Sequence, residues 1–489
     1  MAERLPLRPW LVVLGGLVLV RLVLMAMLPL TDTSEPRYAE IARLMVQSGD
    51  WITPWFSPGV PFWGKPPLAF WASALSFKMF GVNAFAARLP GLLAMGGVGL
   101  LTYAWARVWF GTVAARIATL VLASSLLPFV AAGAVLTDAW LTLAVVLGIA
   151  GFALAPETRS PGLRYAAFLG AAIGLLAKGP LALVLIGAVV LPWAVWHRQF
   201  GRHLRALPWF GGTLIVLVLV VPWYALAEWK TPGFLHYFLV GEHLARFLDP
   251  GWTGDRYGTA HQRTFGAIWG DWLLASLPWG PLAIAFAVRA RGWHGLPARL
   301  ARGGDARFTL LLAWALAAPV FFTFSGNILW TYVLPGLPAL AMLIGWAATA
   351  GKPGAPGRRA GVWPWLAALV PAGALVLGVA VSLAPDLVRS EADLVAYHAQ
   401  AARSGQPLMY VDSRPFSARF YSADTAGLVG SGDLPALREQ ARTGVFLAIP
   451  REIADGVRAS LGQPRVLFEN RRFVLAYLDM PGRRGTAQR

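Results

Sequence analysis

The sequence predicts a polytopic α-helical membrane protein of about eleven to thirteen spans, with interfacial helices in its first outer loop and a small α/β domain at its C-terminal end. Of its 489 residues, 57% are hydrophobic and only 13% are charged, whereas soluble globular domains have roughly 45–50% and 25%. The chain also holds 23 Trp and 52 Gly, and both residues are common in membrane helices and their interfacial belts. This composition excludes a disordered chain, a collagen and a soluble enzyme.

Apolar segments long enough to cross a bilayer define the predicted spans. A span requires roughly 20 mostly apolar residues, and eleven segments approach that length. They cover residues 9–30, 84–106, 112–131, 137–155, 163–178, 180–196, 207–227, 271–288, 308–325, 329–349 and 362–384. The first, from Trp10 to Leu30, is long for the apolar region of a signal peptide and lacks a clear small-residue cleavage site, so we expect a retained helix.

The distribution of charge predicts the orientation of the spans. With the N-terminus inside, the cytoplasmic segments are rich in cations, among them Arg107, Arg202 and Arg358, and poor in acids, while the outer segments carry both signs in balance. The positive-inside rule then makes the N-terminus cytoplasmic, and eleven spans place the C-terminal domain in the periplasm. The same rule explains the net charge of +18 without nucleic acid. The absence of cysteine excludes disulfides and thiol catalysis.

The composition changes near Pro385 and indicates a second domain. The chain is therefore divided into a membrane domain, residues 1–384, and a periplasmic α/β domain, residues 385–489. Within the latter, the short apolar segments 408–411, 444–449 and 472–477 are typical of strands, and 434–442 and 453–461 have helical spacing.

The first outer loop follows the first span directly and begins Thr31-Asp32-Thr33-Ser34-Glu35-Pro36-Arg37-Tyr38. Ser34 is a favourable N-cap and Pro36 is tolerated in a first turn, so a helix is predicted from Ser34 to about Gly49. Its apolar and polar residues fall on different faces, as in a helix that lies in the membrane interface. A second interfacial helix is predicted from Leu68.

Two carboxylates and four cations are expected on the outer face. They are Asp32, Glu35, Arg37, Lys65, Arg88 and Lys178. Helix capping, a local ion pair or snorkelling explains any one of them. Their accumulation on one face favours a functional site, and we expect them to meet in one pocket at the level of the lipid headgroups.

Sequence motifs in the same regions resemble those of a known family. They are Ser34-Glu35-Pro36-Arg37-Tyr38-Ala39-Glu40-Ile41-Ala42-Arg43, Ser48-Gly49-Asp50-Trp51, Gly64-Lys65-Pro66-Pro67, Ala87-Arg88-Leu89-Pro90, Leu136-Thr137-Asp138, Ala177-Lys178-Gly179-Pro180, Glu242-His243-Leu244-Ala245-Arg246, Pro278-Trp279 and Thr331-Tyr332-Val333-Leu334-Pro335. As an ordered set they resemble the bacterial lipid-linked-sugar glycosyltransferases of the GT-C class, and among these the aminoarabinose (lipid A) transferases, which are related to the protein O-mannosyltransferases.

The resemblance implies roles for individual residues. An acidic residue of the first outer loop, Asp32 or Glu35, would act at the reaction centre. The positions expected to bind the donor phosphate or the substrate are Arg37, Lys65, Arg88, Asp138, Lys178, His243, Arg246 and Tyr332. Two positions depart from the family pattern: Ser34 stands where the family has aspartate, and Gly64 stands where the aminoarabinose transferases have glutamate.

The implied activity is transfer of a sugar from a polyprenyl (undecaprenyl) phosphate donor to a lipid A-type or other envelope acceptor. It would occur on the periplasmic side of the bacterial inner membrane, in a monomer. The departing lipid phosphate develops negative charge, which Arg and Lys stabilise. An acceptor hydroxyl or amine benefits from a carboxylate base, whereas an acceptor phosphate is already ionised.

Metal binding and two other functions stay open at this point. His243 and His261, with Glu242 or Asp255, could hold a divalent metal, but their spacing matches no compact ligand motif, and a structural or phosphate-contacting role is preferred. A transporter or flippase for a lipid-linked sugar would bind the same ligand, although transporters usually carry their polar residues near the midplane of repeated halves. The serine at position 34 also leaves open a family member without activity.

Overall fold

The computed structural model describes residues 7–158, 160–249, 252–258, 261–289, 295–301, 304–349, 363–440 and 444–479. The predicted loop cation Arg358 and the last two residues of the predicted helix 434–442 lie outside these ranges. The chain divides into two compact units, one comprising Met1–Met25 and Leu44–Val376 and the other comprising Ala26–Arg43 and Leu377–Arg489.

The first unit is helical and includes the apolar segments. Its helices, with α2 shared between the units and α18 ending in the second, are α1 (Leu7–Met27), α2 (Ser34–Ser48), α3 (Leu68–Phe80), α4 (Ala84–Ser124), α5 (Leu126–Ala131), α6 (Thr137–Leu154), α7 (Pro161–Ala177), α8 (Leu181–Trp196), α9 (Phe200–Ala206), α10 (Trp209–Lys230), α11 (Phe234–His236), α12 (Arg246–Leu248), α13 (Ile268–Ala275), α14 (Trp279–Arg289), α15 (Leu296–Leu300), α16 (Ala306–Phe322), α17 (Leu337–Thr349) and α18 (Trp363–Leu383). A π-helix, Tyr237–Ala245, joins α11 to α12, and a 3-10 helix, Trp330–Gly336, precedes α17. A short antiparallel hairpin, β1 (Trp55–Ser57) and β2 (Val60–Pro61), follows α2.

The predicted membrane fold is confirmed. In the described part of the chain, six helices are long and apolar enough to span a bilayer, or seven if the pair Ala267–Ala275 and Trp279–Arg289, bent by 99°, is one span. Four more apolar helices, α3, α7, α8 and α16, are shorter. Every segment predicted as a span is helical, and Leu68–Phe80, predicted as an interfacial helix, is one of the four shorter ones.

The predicted spans 84–106 and 112–131 meet within one long element. Helix α4 runs through both, but Gly111 interrupts it with φ 85° and ψ 174°. A positive φ of this size is accessible to glycine at little cost, because glycine has no Cβ. Gly111 therefore supplies the break that the sequence analysis placed between two spans.

Small residues bring the membrane helices close together. A Cβ added to Gly170 of α7 would lie 2.5 Å from the backbone nitrogen of Gly148 in α6, so this crossing tolerates only glycine. Such small-residue contacts are typical of helix packing in lipid, where the hydrophobic effect contributes little to helix association and close van der Waals packing matters more. The aromatic core of the unit includes Trp105 and Trp314, whose rings stack with centroids 5.4 Å apart.

The second unit contains a five-stranded mixed sheet with helices against it. Its strands are β3 (Leu408–Val411), β4 (Gly427–Val429), β5 (Val445–Pro450), β6 (Arg465–Glu469) and β7 (Phe473–Leu478), in the order β4-β3-β5-β7-β6. Strand β3 pairs in parallel with β4 and β5, and β7 pairs antiparallel with β5 and β6. Its helices are α19 (Ala392–Ala401), α20 (Phe416–Tyr421), α21 (Leu434–Gln440) and α22 (Ala454–Ser460).

The predictions for this domain are confirmed where they were made. The three predicted strands and two predicted helices correspond to β3, β5, β7, α21 and α22. Alternate residues of β5 enter two apolar cores: Val445, Leu447 and Ile449 pack in one, and Phe446 and Ala448 in the other. Strands β4 and β6 and helices α19 and α20 were not predicted.

The second unit also includes residues 26–43, which the sequence analysis assigned to the membrane domain. The predicted helix begins at Ser34, and Gly49, with φ 70°, lies just past its end and donates its N–H to Met45 over 3.1 Å. Its polar residues were predicted to form a face of their own, but two of them, Glu40 and Arg43, are buried and joined by two hydrogen bonds of 2.7 Å.

Candidate active site

A segment of the first unit with an unusual backbone carries part of the predicted site. Residues 234–248 form one continuous helical segment whose central part, Tyr237–Ala245, is π-helical. Gly233 precedes it with φ 97°, and Glu228 accepts hydrogen bonds from the N–H groups of Gly233 and Leu235. A π-helical turn changes the direction of the side chains that follow it and is frequent at functional sites. Glu242 and His243 lie in this turn.

The Glu242 carboxylate joins two predicted phosphate-binding cations. Lys65 Nζ and Arg246 Nη1 each lie 3.1 Å from Glu242 Oε2, and the Glu242 side chain is only 4% exposed. Burial acts to raise the pKa of Glu242, but the charges of Lys65 and Arg246 outweigh it and the pKa is lowered. Tyr237 also donates to Glu242 Oε1 over 3.3 Å. Glu242 is therefore held as a carboxylate between two cations.

A further acid and a further cation extend this cluster. Asp255 Oδ2 lies 3.6 Å from Arg246 Nη1. The guanidinium of Arg256 lies over the rings of Trp63 and Tyr237, 4.6 Å and 5.4 Å from their centroids. Arg256 was not among the predicted residues, because no local pattern predicts which ring an arginine will stack on.

A second charge pair lies beside the first cluster. Lys178 Nζ is 2.5 Å from Asp138 Oδ1, and the two side chains are 8% and 6% exposed. Lys178 follows the last turn of α7, and Asp138 lies in the first turn of α6. The Lys178 ammonium also lies 4.9 Å from the centroid of the Tyr332 ring, and Tyr332 is near enough to Arg246 to act on it electrostatically.

His243 connects the two groups of charges. Its Nδ1 lies 2.7 Å from the carbonyl oxygen of Phe238 and its Nε2 lies 3.1 Å from that of Lys178. The backbone at position 179 lies so close to the Phe238 ring that only glycine fits there, because a Cβ would lie 2.5 Å from that ring. Burial lowers the pKa of His243, and the nearby Lys65 lowers it further.

The structure thus brings together six predicted residues, all in the first unit: Lys65, Asp138, Lys178, His243, Arg246 and Tyr332. We call these six residues with Glu242 the cation cluster. Arg88 is buried in the same unit and donates to the carbonyl oxygen of Met25 over 3.3 Å.

The remaining predicted residues lie in the second unit. The Asp32 carboxylate is 2.7 Å from Arg472. Glu35 is 9% exposed and accepts hydrogen bonds of 3.3 Å from the N–H and hydroxyl of Thr31. The Arg37 guanidinium lies 5.5 Å from the centroid of the Phe416 ring. That Asp32, Glu35 and Arg37 share a pocket with the cation cluster stays a prediction.

The residues considered as metal ligands do not form a ligand set. Within the described ranges, no three side chains of His, Cys, Asp or Glu converge closely enough to hold a metal ion. Both ring nitrogens of His243 are directed at backbone carbonyl oxygens. A metal at this position would have to displace one of those contacts.

The fold of the chain matches that of a solved protein structure over almost its whole length. The chain superimposes on the crystal structure of ArnT from Cupriavidus metallidurans bound to undecaprenyl phosphate with a TM-score of 0.76, covering 96% of this chain and 98% of that chain at 21% identity. Against the apo state of the same protein the TM-score is 0.75, with the same coverage and 22% identity. At this level of identity the comparison establishes the fold.

Sequence comparisons identify the particular transferases that the chain resembles. The family model described as dolichyl-phosphate-mannose-protein mannosyltransferase matches residues 22–238. The undecaprenyl phosphate-alpha-4-amino-4-deoxy-L-arabinose arabinosyl transferase of Aeromonas hydrophila is 30% identical over 321 residues, which cover 65% of this chain and 55% of that protein. The corresponding transferase 1 of Sodalis glossinidius is 33% identical over 344 residues, covering 67% and 58%.

These comparisons confirm the resemblance seen in the sequence motifs. The chain spans little more than half the length of the curated relatives it matches. Its apolar helices and its bacterial relatives together indicate a protein of the bacterial inner membrane.

Proposed function

We propose that the protein is a glycosyltransferase that moves a sugar from a polyprenyl (undecaprenyl) phosphate donor to a lipid A-type or other envelope acceptor. One observation carries the proposal: Lys65 and Arg246, which are far apart in the sequence, converge on the same buried carboxylate, beside Lys178. The similarity to transferases whose names specify undecaprenyl phosphate supports the same ligand class.

The cation cluster suits a lipid phosphate. Glu242 now occupies the position between Lys65 and Arg246 that one phosphate oxygen would take. Arginine binds phosphate through directed N–H groups, and lysine adds a compact point charge. Buried cations of this kind exert more electrostatic stabilisation than exposed ones, because the surrounding dielectric is low.

In the proposed reaction, the bond between the sugar C1 and the phosphate oxygen breaks, and the polyprenyl phosphate leaves with the electron pair. A bond from C1 to the acceptor oxygen forms. Cations on the leaving phosphate would contribute about 3–4 kcal/mol for each well-placed donor. No general acid is required, because phosphate is already a good leaving group.

We assign the carboxylate chemistry to Glu35. An ionised Glu35 would stabilise positive charge on the sugar and would receive the proton of an acceptor hydroxyl. Asp32 is the other candidate, but three hydrogen bonds from Ser417 and Arg472 already occupy its two oxygens.

We further propose that the N-terminus is cytoplasmic and that transfer occurs on the periplasmic side, in a monomer. The basic composition of the predicted inner segments supports this orientation.

Reconstitution tests the proposal. The purified protein would be placed in vesicles with a polyprenyl-phosphate sugar carrying a radiolabel, and with lipid A in the same leaflet. We expect label to pass to lipid A, with release of polyprenyl phosphate. Movement of labelled donor between leaflets without a labelled product would identify a flippase instead. Absence of both would overturn the proposed activity for these substrates.

A further inference from the structure

The Asp32 carboxylate is fully engaged within the second unit. Its Oδ1 accepts a hydrogen bond of 2.9 Å from the backbone N–H of Ser417, and its Oδ2 accepts bonds of 2.6 Å from the Ser417 hydroxyl and 2.7 Å from Arg472. The Asp32 N–H donates to the carbonyl oxygen of Arg389 over 2.8 Å. With 3% of its side chain exposed and both oxygens hydrogen-bonded, Asp32 is an anchoring point.

Arg472 is itself held in place by a second carboxylate. It lies 2.6 Å from Glu391, whose side chain is fully buried. Asn470 donates to the other oxygen of Glu391 over 2.9 Å. The Arg472 guanidinium thus bridges two buried carboxylates. Movement of Arg472 would leave a buried carboxylate without its counter-charge, which is strongly destabilising, so the position of Arg472 is fixed.

Helix α20 makes further contacts along the same segment. The Tyr421 hydroxyl accepts a hydrogen bond of 2.6 Å from the N–H of Leu30. Phe416 lies beneath the guanidinium of Arg37. With Ser417 on Asp32, this six-residue helix contacts the chain before, within and after the Asp32 turn.

Anchoring of Asp32 also determines the environment of Glu35. Thr31 lies between Leu30 and Asp32, both of which bond to the C-terminal domain. Thr31 donates two hydrogen bonds of 3.3 Å, from its N–H and its hydroxyl, to one oxygen of Glu35. The backbone that orients Glu35 is therefore the backbone that Arg472 and Ser417 hold.

We infer that Arg472 and Ser417 of the C-terminal domain are positioning residues, which act through Asp32 and Thr31 to set the orientation and charge environment of Glu35. The inference rests on the proposed function, in which Glu35 is the reacting carboxylate. It assigns a task in the transfer reaction to a domain that is far from residue 32 in the sequence.

The test compares Arg472→Met with Arg471→Met in the reconstituted transfer assay. Arg471 is the adjacent arginine and its side chain is exposed, so its variant is a matched control. We expect Arg472→Met to lower kcat at least tenfold while the Kd for polyprenyl phosphate stays within twofold of the wild type. Arg471→Met should leave both quantities within twofold.

Two further readouts separate positioning from general stability. Without Arg472 the two buried carboxylates Asp32 and Glu391 lose the cation that they share, so the acidic limb of the pH–kcat profile should move to higher pH. Adding Asp32→Asn to Arg472→Met should return the acidic limb toward its original position. The kcat of this double variant should be no lower than that of the less active single variant. Losses in kcat that multiply, or an unmoved limb, would overturn the inference.

Ser417→Ala provides a milder variant if Arg472→Met does not fold. It removes the 2.6 Å hydrogen bond to Asp32 and the 3.0 Å bond that the Ser417 hydroxyl accepts from the N–H of Glu391. We expect a threefold to tenfold loss of kcat with donor Kd unchanged; unchanged kcat would count against positioning. Glu35→Gln separates the two proposals. Normal transfer by Arg472→Met with loss of transfer by Glu35→Gln would refute only the positioning role. Wild-type protein without transfer would refute the proposed function.

Discussion

Lys178 and Asp138 form a buried ion pair of 2.5 Å between the end of α7 and the start of α6. Lys178→Met would leave the Asp138 carboxylate buried without this counter-charge, a defect that costs about 3–5 kcal/mol in measured cases. We expect the thermal unfolding midpoint in detergent to fall by more than about 3 °C. The double variant Lys178→Met with Asp138→Leu removes both charges and should recover most of the loss. A midpoint of Lys178→Met equal to that of the wild type would refute the structural importance of this pair.

The cations on Glu242 are expected to bind the donor phosphate. Lys65→Met and Arg246→Met should each weaken binding of polyprenyl phosphate by about 1.5–3 kcal/mol, which corresponds to roughly 10- to 150-fold in Kd. Titration of labelled polyprenyl phosphate into protein in nanodiscs measures this. Lys78→Met is the control, because Lys78 is exposed at the end of α3. Equal affinity in Lys65→Met and Lys78→Met would exclude Lys65 from the phosphate site.

Glu35 is expected to act in the chemical step and not in donor binding. Glu35→Gln should lower kcat by about 10²–10⁴-fold, the usual range for loss of a general base, with the donor Kd unchanged. Single-turnover transfer of labelled sugar measures the chemical step directly. The control is Glu452→Gln, which neutralises an exposed carboxylate of the C-terminal domain. Wild-type turnover in Glu35→Gln would shift the assignment away from this residue.

We expect the thermal stability of the protein to depend on pH through the titration of His243. Burial lowers its pKa from the usual 6.5, so the unfolded chain binds the proton at higher pH than the folded protein does. The contribution of neutral His243 is therefore fully present above about pH 6.5 and declines as the pH falls through its lowered pKa. We expect the unfolding midpoint to drop between about pH 7 and 5.5 in the wild type and less in His243→Gln. His236→Gln, at an exposed position, should behave like the wild type; identical pH curves for all three proteins would contradict the prediction.

The orientation of the first unit can be tested by cysteine labelling, because the chain contains no cysteine. Val60 lies in the β1–β2 hairpin, predicted to be periplasmic, and Arg205 lies in α9, predicted to be cytoplasmic; both are exposed. In intact spheroplasts, a membrane-impermeant maleimide should label Val60→Cys at once and Arg205→Cys only after permeabilisation. The reverse pattern would place the cation cluster on the cytoplasmic side.

Local features of the sequence predicted much of the fold. Each predicted span is helical because about 20 apolar residues must satisfy their own backbone hydrogen bonds in lipid, and a helix does this within the segment. Strands β3, β5 and β7 were found because they are short apolar runs bounded by turns. The elements that escaped, such as α20 and β4, are too short to show a period.

The sequence by itself determined the chemical types of the candidate residues: the cations Lys65, Lys178 and Arg246 and the acid Glu35 were named from their motifs, and Asp32 from its place in the first outer loop. Only the tertiary structure decided their partners, because an ion pair depends on distance in space and a sequence pattern carries information mainly about neighbours along the chain. Lys65 meets Glu242 across 177 positions, and Asp32 meets Arg472 across 440. Those distant contacts make Asp32 an anchor for the loop that carries Glu35.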